Sequence, residues 1–285
     1  MKNKILALFT FISFLTESQI DLQLKKHVCF LSSDSLKGRQ TGSVEEKQVN
    51  NYLRSNFITS KKSKIQQWDY SFVKNTVTYQ SQMIGCYVNN KCDITLLITA
   101  HVDHIGLGSN LSLSYKENEI HNGADDNASG VALMIELQRL LVQKKLKANI
   151  LFIAYTGHEL GLFGSKFFIE NISKKYKKIV LNLNFDMIGR MDKSLTNVYV
   201  SASETLKSSF KSEFSNINLI EVDSTRLLSL DCSHFHLKGI PSATFTTGIH
   251  NDYHKTSDDE QYINYDGIMK ILISTENWIL KHYSN

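Results

Sequence analysis

Apolar positions along this chain alternate between two rhythms. Nearly continuous apolar runs of strand length occupy 94–100, 148–156 and 179–186, with shorter runs at 198–201 and 242–247. Two further stretches, 66–77 and 82–88, also read as strands. Between them the spacing turns helical. The segment 19–31 reads as a helix. Ser43 and Glu46 form a capping box ahead of Val49, Tyr52, Leu53 and Phe57. Helices are further expected from Val131 to about Lys145, over 164–171, over 203–214 with Leu206, Phe210 and Phe214 on one face, and over 263–282. Strands that alternate with helices predict an α/β fold, a three-layer αβα sandwich around a mixed, mostly parallel central sheet. Ligands of such sheets bind beyond the carboxyl ends of the strands. His101, the pair His158-Glu159, and Asp186 all fall at predicted strand ends.

One stretch organises the rest. His121-Asn122-Gly123-Ala124-Asp125-Asp126-Asn127-Ala128-Ser129-Gly130 sets two adjacent carboxylates between glycines and runs into a helix. Helix-mouth N–H groups can fix a carboxylate there, and a short carboxylate so held can bridge two cations.

Composition adds limits. The chain has 285 residues, 42% hydrophobic and 21% charged, with a net charge of +4 and no long basic run, so nothing points to nucleic acid. Lys2 and Lys4 precede an apolar stretch, 5–15, too short to span a bilayer, and Thr16 and Ser18 are small residues flanking a cut after Ser18. Residues 1–18 therefore read as a signal peptide. No Cys follows the apolar stretch, so no membrane anchor is expected, and the mature chain is expected to be secreted or periplasmic. With one Pro and no linker-like stretch, 19–285 reads as a single domain. None of Cys29, Cys86, Cys92 and Cys232 lies in a C-x-x-C pair. Cys86 and Cys92 flank an expected hairpin, and a disulfide across it and two free thiols are equally good readings.

The candidate chemistry lies in His101, Asp126, Glu159, Asp186 and His254. Mixed imidazole and carboxylate ligands suit zinc, and less often cobalt or manganese. Five protein ligands exceed one open tetrahedral site and fit two sites that share a bridging carboxylate. Taken singly, each residue has an ordinary reading as a cap or a satisfied polar group; only the joint pattern is informative.

That pattern resembles the M28 family of zinc aminopeptidases. The matching segments are Leu36-Lys37-Gly38-Arg39-Gln40-Thr41-Gly42-Ser43, Ala100-His101-Val102-Asp103-His104-Ile105-Gly106, the Asp125-Asp126 stretch, Gly157-His158-Glu159-Leu160-Gly161, Asn184-Phe185-Asp186-Met187-Ile188-Gly189-Arg190, and Thr247-Gly248-Ile249-His250-Asn251-Asp252-Tyr253-His254. The resemblance implies a zinc-peptidase, phosphorylase/hydrolase-like fold, two Zn2+ bridged by Asp126, and peptide substrates. It implies that His101 and Asp186 complete one metal and that Glu159 and His254 complete the other. Asp103 would orient His101, and Tyr253 would support a developing oxyanion. Ser233-His234 resembles a segment near the substrate pocket. Asp125 or Asp252 could help to recess the free amine of a peptide, and the segment 65–98 is too short to hold an inserted domain.

The pattern breaks at one residue. Where the family usually has Glu-Glu, with the first Glu as general base, this chain has His158-Glu159. His158 could act as a weaker base; it could have exchanged roles with Glu159; or the chain could be a catalytically weak metal-binding homologue. Rival readings on the same fold are a one-zinc glutaminyl cyclase, which would not need both His101 and Asp186, and a carboxypeptidase using Arg190 or Arg226 for the substrate carboxylate.

Overall fold

The computed structural model describes residues 17–115, 118–223, 225 and 230–284. The expected signal segment therefore lies outside the described residues except for Glu17 and Ser18, which open helix α1 (Glu17–Leu31).

Among the described residues, eight strands form one sheet: β1 (Ser63–Lys74), β2 (Val77–Val88), β3 (Ile94–His101), β4 (Asn149–Tyr155), β5 (Lys178–Phe185), β6 (Asn197–Ala202), β7 (Asn218–Val222) and β8 (Ser242–Thr246). Their order is β1-β2-β4-β3-β5-β8-β6-β7. The central four, β4, β3, β5 and β8, run parallel, while β2 joins β4 and β6 joins β8 antiparallel. This is the mixed α/β sheet expected from the sequence.

The central strands read as unbroken apolar runs because both of their faces are covered. Along β4, Ile150, Phe152 and Ala154 face a core shared with α1, α2 (Val44–Asn56), α3 (Gly130–Leu141) and α6 (Tyr265–Tyr283). Leu151, Ile153 and Tyr155 face the opposite core, which holds Trp68, Phe168 and Phe235. The capping box forms as spaced: Ser43 Oγ accepts from the Glu46 N–H at 3.1 Å. The Glu46 carboxylate, however, reaches Gly42 N at 2.7 Å and also takes Ser81 Oγ and Gln82 N, so it ties α2 to β2 as well.

Four local expectations change. The strands at 66–77 and 82–88 are one longer hairpin that turns at Asn75 and Thr76, with φ 49° and 66°, where two-residue hairpin loops need left-handed residues. Cys86 and Cys92 flank no hairpin, because β4 lies between β2 and β3; all four cysteines are free thiols. The helix expected over 203–214 is only α5 (Glu204–Lys207), although Phe210 and Phe214 are buried as their spacing suggested. Helical structure near 164–171 is split between α4 (Phe163–Phe167) and a wider turn at Phe168–Ile172. Among the described residues, no helix is long and apolar enough to cross a membrane.

Candidate metal centre

The sheet delivers the site. β3 ends on His101, β4 runs into Gly157-His158-Glu159, β5 into Asp186, and the loop after β8 carries His250, Tyr253 and His254. Asp126 comes from the turn Ala124–Ser129 that leads into α3. Three backbone anchors fix this turn. Asp258, fully buried, accepts from the N–H groups of Asp125 and Asp126 at 3.0–3.1 Å. Asn127 accepts from Gly130 N and Met187 N and donates to Phe185 O and His101 O, which locks the ends of β3 and β5 to the start of α3. The buried Arg39 guanidinium donates to the carbonyls of Val102, Leu31, Asn122, Gly123 and Asp126. Gly38, at φ 70°, lets its segment lie against Gly106 and His121; a Cβ there would fall 2.5 Å from their carbonyl oxygens.

The Asp126 carboxylate faces two clusters. Its Oδ1 lies 3.3 Å from His101 Nε2, which is also 3.3 Å from Asp186 Oδ1. Its Oδ2 lies 3.3 Å from His254 Nε2, which is 3.2 Å from Glu159 Oε2. Neither contact of His254 Nε2 has hydrogen-bond geometry, and this buried nitrogen has no partner. Closeness without hydrogen-bond alignment is what donors arranged round a shared point show. Ligands of one tetrahedral zinc, at about 2.0–2.1 Å each, stand roughly 3.3–3.4 Å apart, so the donor spacing and chemistry fit zinc on both sides of Asp126. The far nitrogens are fixed as well: His101 Nδ1 bonds Asp103 O at 3.1 Å and His254 Nδ1 bonds Leu111 O at 3.0 Å. His254 itself adopts a left-handed φ of 53°.

Electrostatics follow the same layout. Burial opposes ionisation of Asp126, but His101, His254 and His104 outweigh it and hold its carboxyl well below the usual range. Burial and Asp126 raise Glu159, yet His104 and His254 bring it down to about 2. Burial lowers His254, and Asp126 and Glu159 raise it to about 10.

Several expected roles shift. Asp103 holds His101 through its carbonyl; its carboxylate accepts from Thr41 Oγ1 at 2.8 Å and from the N–H groups of His158 and Glu159 at 3.3 Å, so it secures the turn after β4. Tyr253 stacks on His254 at 4.0 Å, and burial together with Asp126, Glu159 and Asp186 keeps its phenol protonated. Asp125 is no substrate group: it is fully buried, bonds Gly189 N and Ser129 Oγ, and lies 3.2 Å from His250 Nε2. Arg190 is committed to Asp252 at 3.0 Å and Asp258 at 3.2 Å, and Arg226 lies outside the described residues.

His158 lies apart from the Asp126 oxygens. Its ring stacks on His101, with centroids 3.6 Å apart and 9° between planes, and its Nδ1 lies 2.8 Å from Asp231 Oδ2. Donor atoms of His101, His158 and Asp186 lie within 4.8 Å of one another, but the stacked His158 ring points its nitrogens parallel to those of His101 rather than at one centre. Burial and His101 lower its pKa, but Asp231 and Asp186 raise it to about 9. Asp231, rather than Ser233 or His234, is the residue that its segment sends to the site. Sequence reasoning missed Asp231, Asp258 and Asn127, and quoted His104 without a role.

An α/β sheet whose parallel strands end in converging imidazoles and carboxylates makes those strand ends a candidate metal centre. A sequence profile of Peptidase family M28 matches residues 83–276, and the chain belongs to that family. Aminopeptidase YwaD of Bacillus subtilis is 30% identical over 159 residues, a match covering 52% of this chain and 35% of that protein, about a third of its length. Among solved structures, BSAP, a zinc aminopeptidase from Bacillus subtilis, superposes with a TM-score of 0.74 at 16% identity over 93% of this chain and 95% of that one. Porphyromonas gingivalis glutaminyl cyclase superposes with a TM-score of 0.77 at 17% identity over 92% and 98%. At these identities the structural likeness speaks for the fold.

Proposed function

We propose that this chain is a two-zinc aminopeptidase that removes residues from the free N-termini of peptides. The observation that carries the reading is the division of Asp126, with one oxygen toward His101 and Asp186 and the other toward His254 and Glu159. Zinc ions held there would polarise a scissile carbonyl and acidify an attacking water.

The chain's own residues would do the rest. His158 accepts the proton of the attacking water at Nε2, because Asp231 at Nδ1 fixes the ring and its tautomer. Zinc held nearby would oppose protonation of this ring and lower its affinity for a proton below that of the metal-free site. Tyr253 donates its phenolic hydrogen to the developing oxyanion. The exchanged-role reading is disfavoured, because Glu159 places Oε1 on His104 and Oε2 on His254.

The likeness to a glutaminyl cyclase keeps a second reading open to test. The pairing of His101 with Asp186 and Asp126 favours two metals over one. An aminoacyl-nitroanilide panel, with zinc measured on the same sample, tests the proposal. Cleavage of free but not N-acetylated substrates, at two zincs per chain, is the expected result. One zinc per chain with cyclisation of N-terminal glutamine would overturn it.

A further inference from the structure

We propose that His104 is an additional ligand of the second metal, through Nδ1, so that this metal has four protein residues around it and the first has three. The inference rests on the two-metal reading above and concerns a residue outside its ligand set.

His104 is fully buried, and its Nδ1 points into the cluster, hydrogen-bonded to Glu159 Oε1 at 3.1 Å and 3.7 Å from Asp126 Oδ2. His254 approaches the same two carboxylates with Nε2, at 3.2 and 3.3 Å. The two imidazoles meet edge to face, 80° apart with centroids 5.6 Å from each other, so they approach from different directions instead of stacking as His101 and His158 do. Donor atoms of His104, Asp126 and Glu159 lie within 4.8 Å of one another.

The far nitrogen, His104 Nε2, is buried without a hydrogen-bond partner, unlike those of His101 and His254, so the assignment stands on the Nδ1 end alone. The backbone makes room for the ring. Gly123 sits at φ 58°, and a Cβ there would lie 2.6 Å from His104 Cγ and Cδ2.

Held by His104, Glu159, His254 and Asp126, a second metal would have no open position, as in structural zinc sites, whereas His101, Asp186 and Asp126 would leave one on the first. The second ion would then serve to hold the site.

The test uses the full chain loaded with cadmium, with histidine nitrogens isotopically labelled. Scalar coupling between one cadmium signal and both His254 Nε2 and His104 Nδ1 is expected, lost for His104 in a His104→Ser variant. Metal release to a chelator should be biphasic in the parent, and the slow phase should quicken at least about tenfold in His104→Ser. Two cadmium signals with coupling to His254 but none to His104 would overturn the inference and leave the two-metal reading standing; His104 would then only orient Glu159. A single bound cadmium would overturn both. A fold check by circular dichroism, with His104→Gln as a second variant, separates ligand loss from misfolding.

Discussion

Under the proposed function, His158 stands where a carboxylate base would otherwise be expected. A carboxylate at that position would reach the attacking water without the support that the imidazole takes from Asp231. His158→Glu is therefore expected to raise kcat on the order of tenfold, measured on the best nitroanilide substrate; a fall would show that His158 has a role beyond accepting a proton. Asp231→Asn keeps the shape but can present an N–H to Nδ1 and favour the wrong tautomer. It should lower kcat at least about tenfold with KM and zinc content unchanged; an unchanged kcat would remove Asp231 from the account. The convergence of His101, Asp126, Glu159 and Asp186 could be anticipated because each sits at a strand end or in the glycine-framed motif, whereas His254, in the loop after β8, was singled out by its matching segment. Asp231 was not. It stands 73 residues from His158 and acts only through the fold, with no local spacing to announce it. Asp258 and Asn127 escaped for a similar reason, since they bond backbone atoms rather than the site's side chains.

Among the elements, α1 and α3 are joined by a buried pair: His27 Nε2 lies 3.1 Å from Glu136 Oε1, with both side chains almost wholly covered, and Arg139 meets the other oxygen. Burial opposes ionisation of Glu136, but His27 and Arg139 outweigh it and hold its carboxyl below the ordinary 4.5. Its contribution to stability is thus complete above that value and is lost as the pH falls through the lower folded value, where the unfolded chain binds the proton first. Glu136→Ala should cost about 1–3 kcal/mol at pH 7, read from urea unfolding, because it leaves the buried His27 Nε2 and the Arg139 guanidinium without their acceptor. The loss should shrink in acid; a loss independent of pH would count against the pairing. Element existence was readable from periodicity, and boundaries less so. The turn at Asn75 and Thr76 carries no glycine, so the hairpin was split too late. Phe210 and Phe214 keep helical spacing, yet they serve as core plugs in a loop that stacks on Phe245 and Trp278.

At the scale of the whole molecule, a single sheet gathers residues from across the chain to one edge, and the α/β architecture was legible from the alternation of strands and helices alone. What the alternation could not give was the antiparallel flanks and the place of β4 between β2 and β3, which separates Cys86 from Cys92. Because zinc would bind only the folded arrangement, its removal should destabilise the whole. At a thousandfold excess over Kd the linkage is about 4 kcal/mol, roughly 10 °C in Tm for a chain of this size. An unchanged Tm after chelation would mean that the site holds no metal. The central claim is that Asp126 joins two metals in a peptidase of free N-termini, and it is tested most directly by titrating zinc into metal-free protein while following hydrolysis of an unblocked aminoacyl-nitroanilide. The account predicts that activity rises until two zincs per chain are bound and that Asp126→Ala abolishes both sites. Full activity at one zinc, or two bound zincs without cleavage of any free N-terminus, would contradict it.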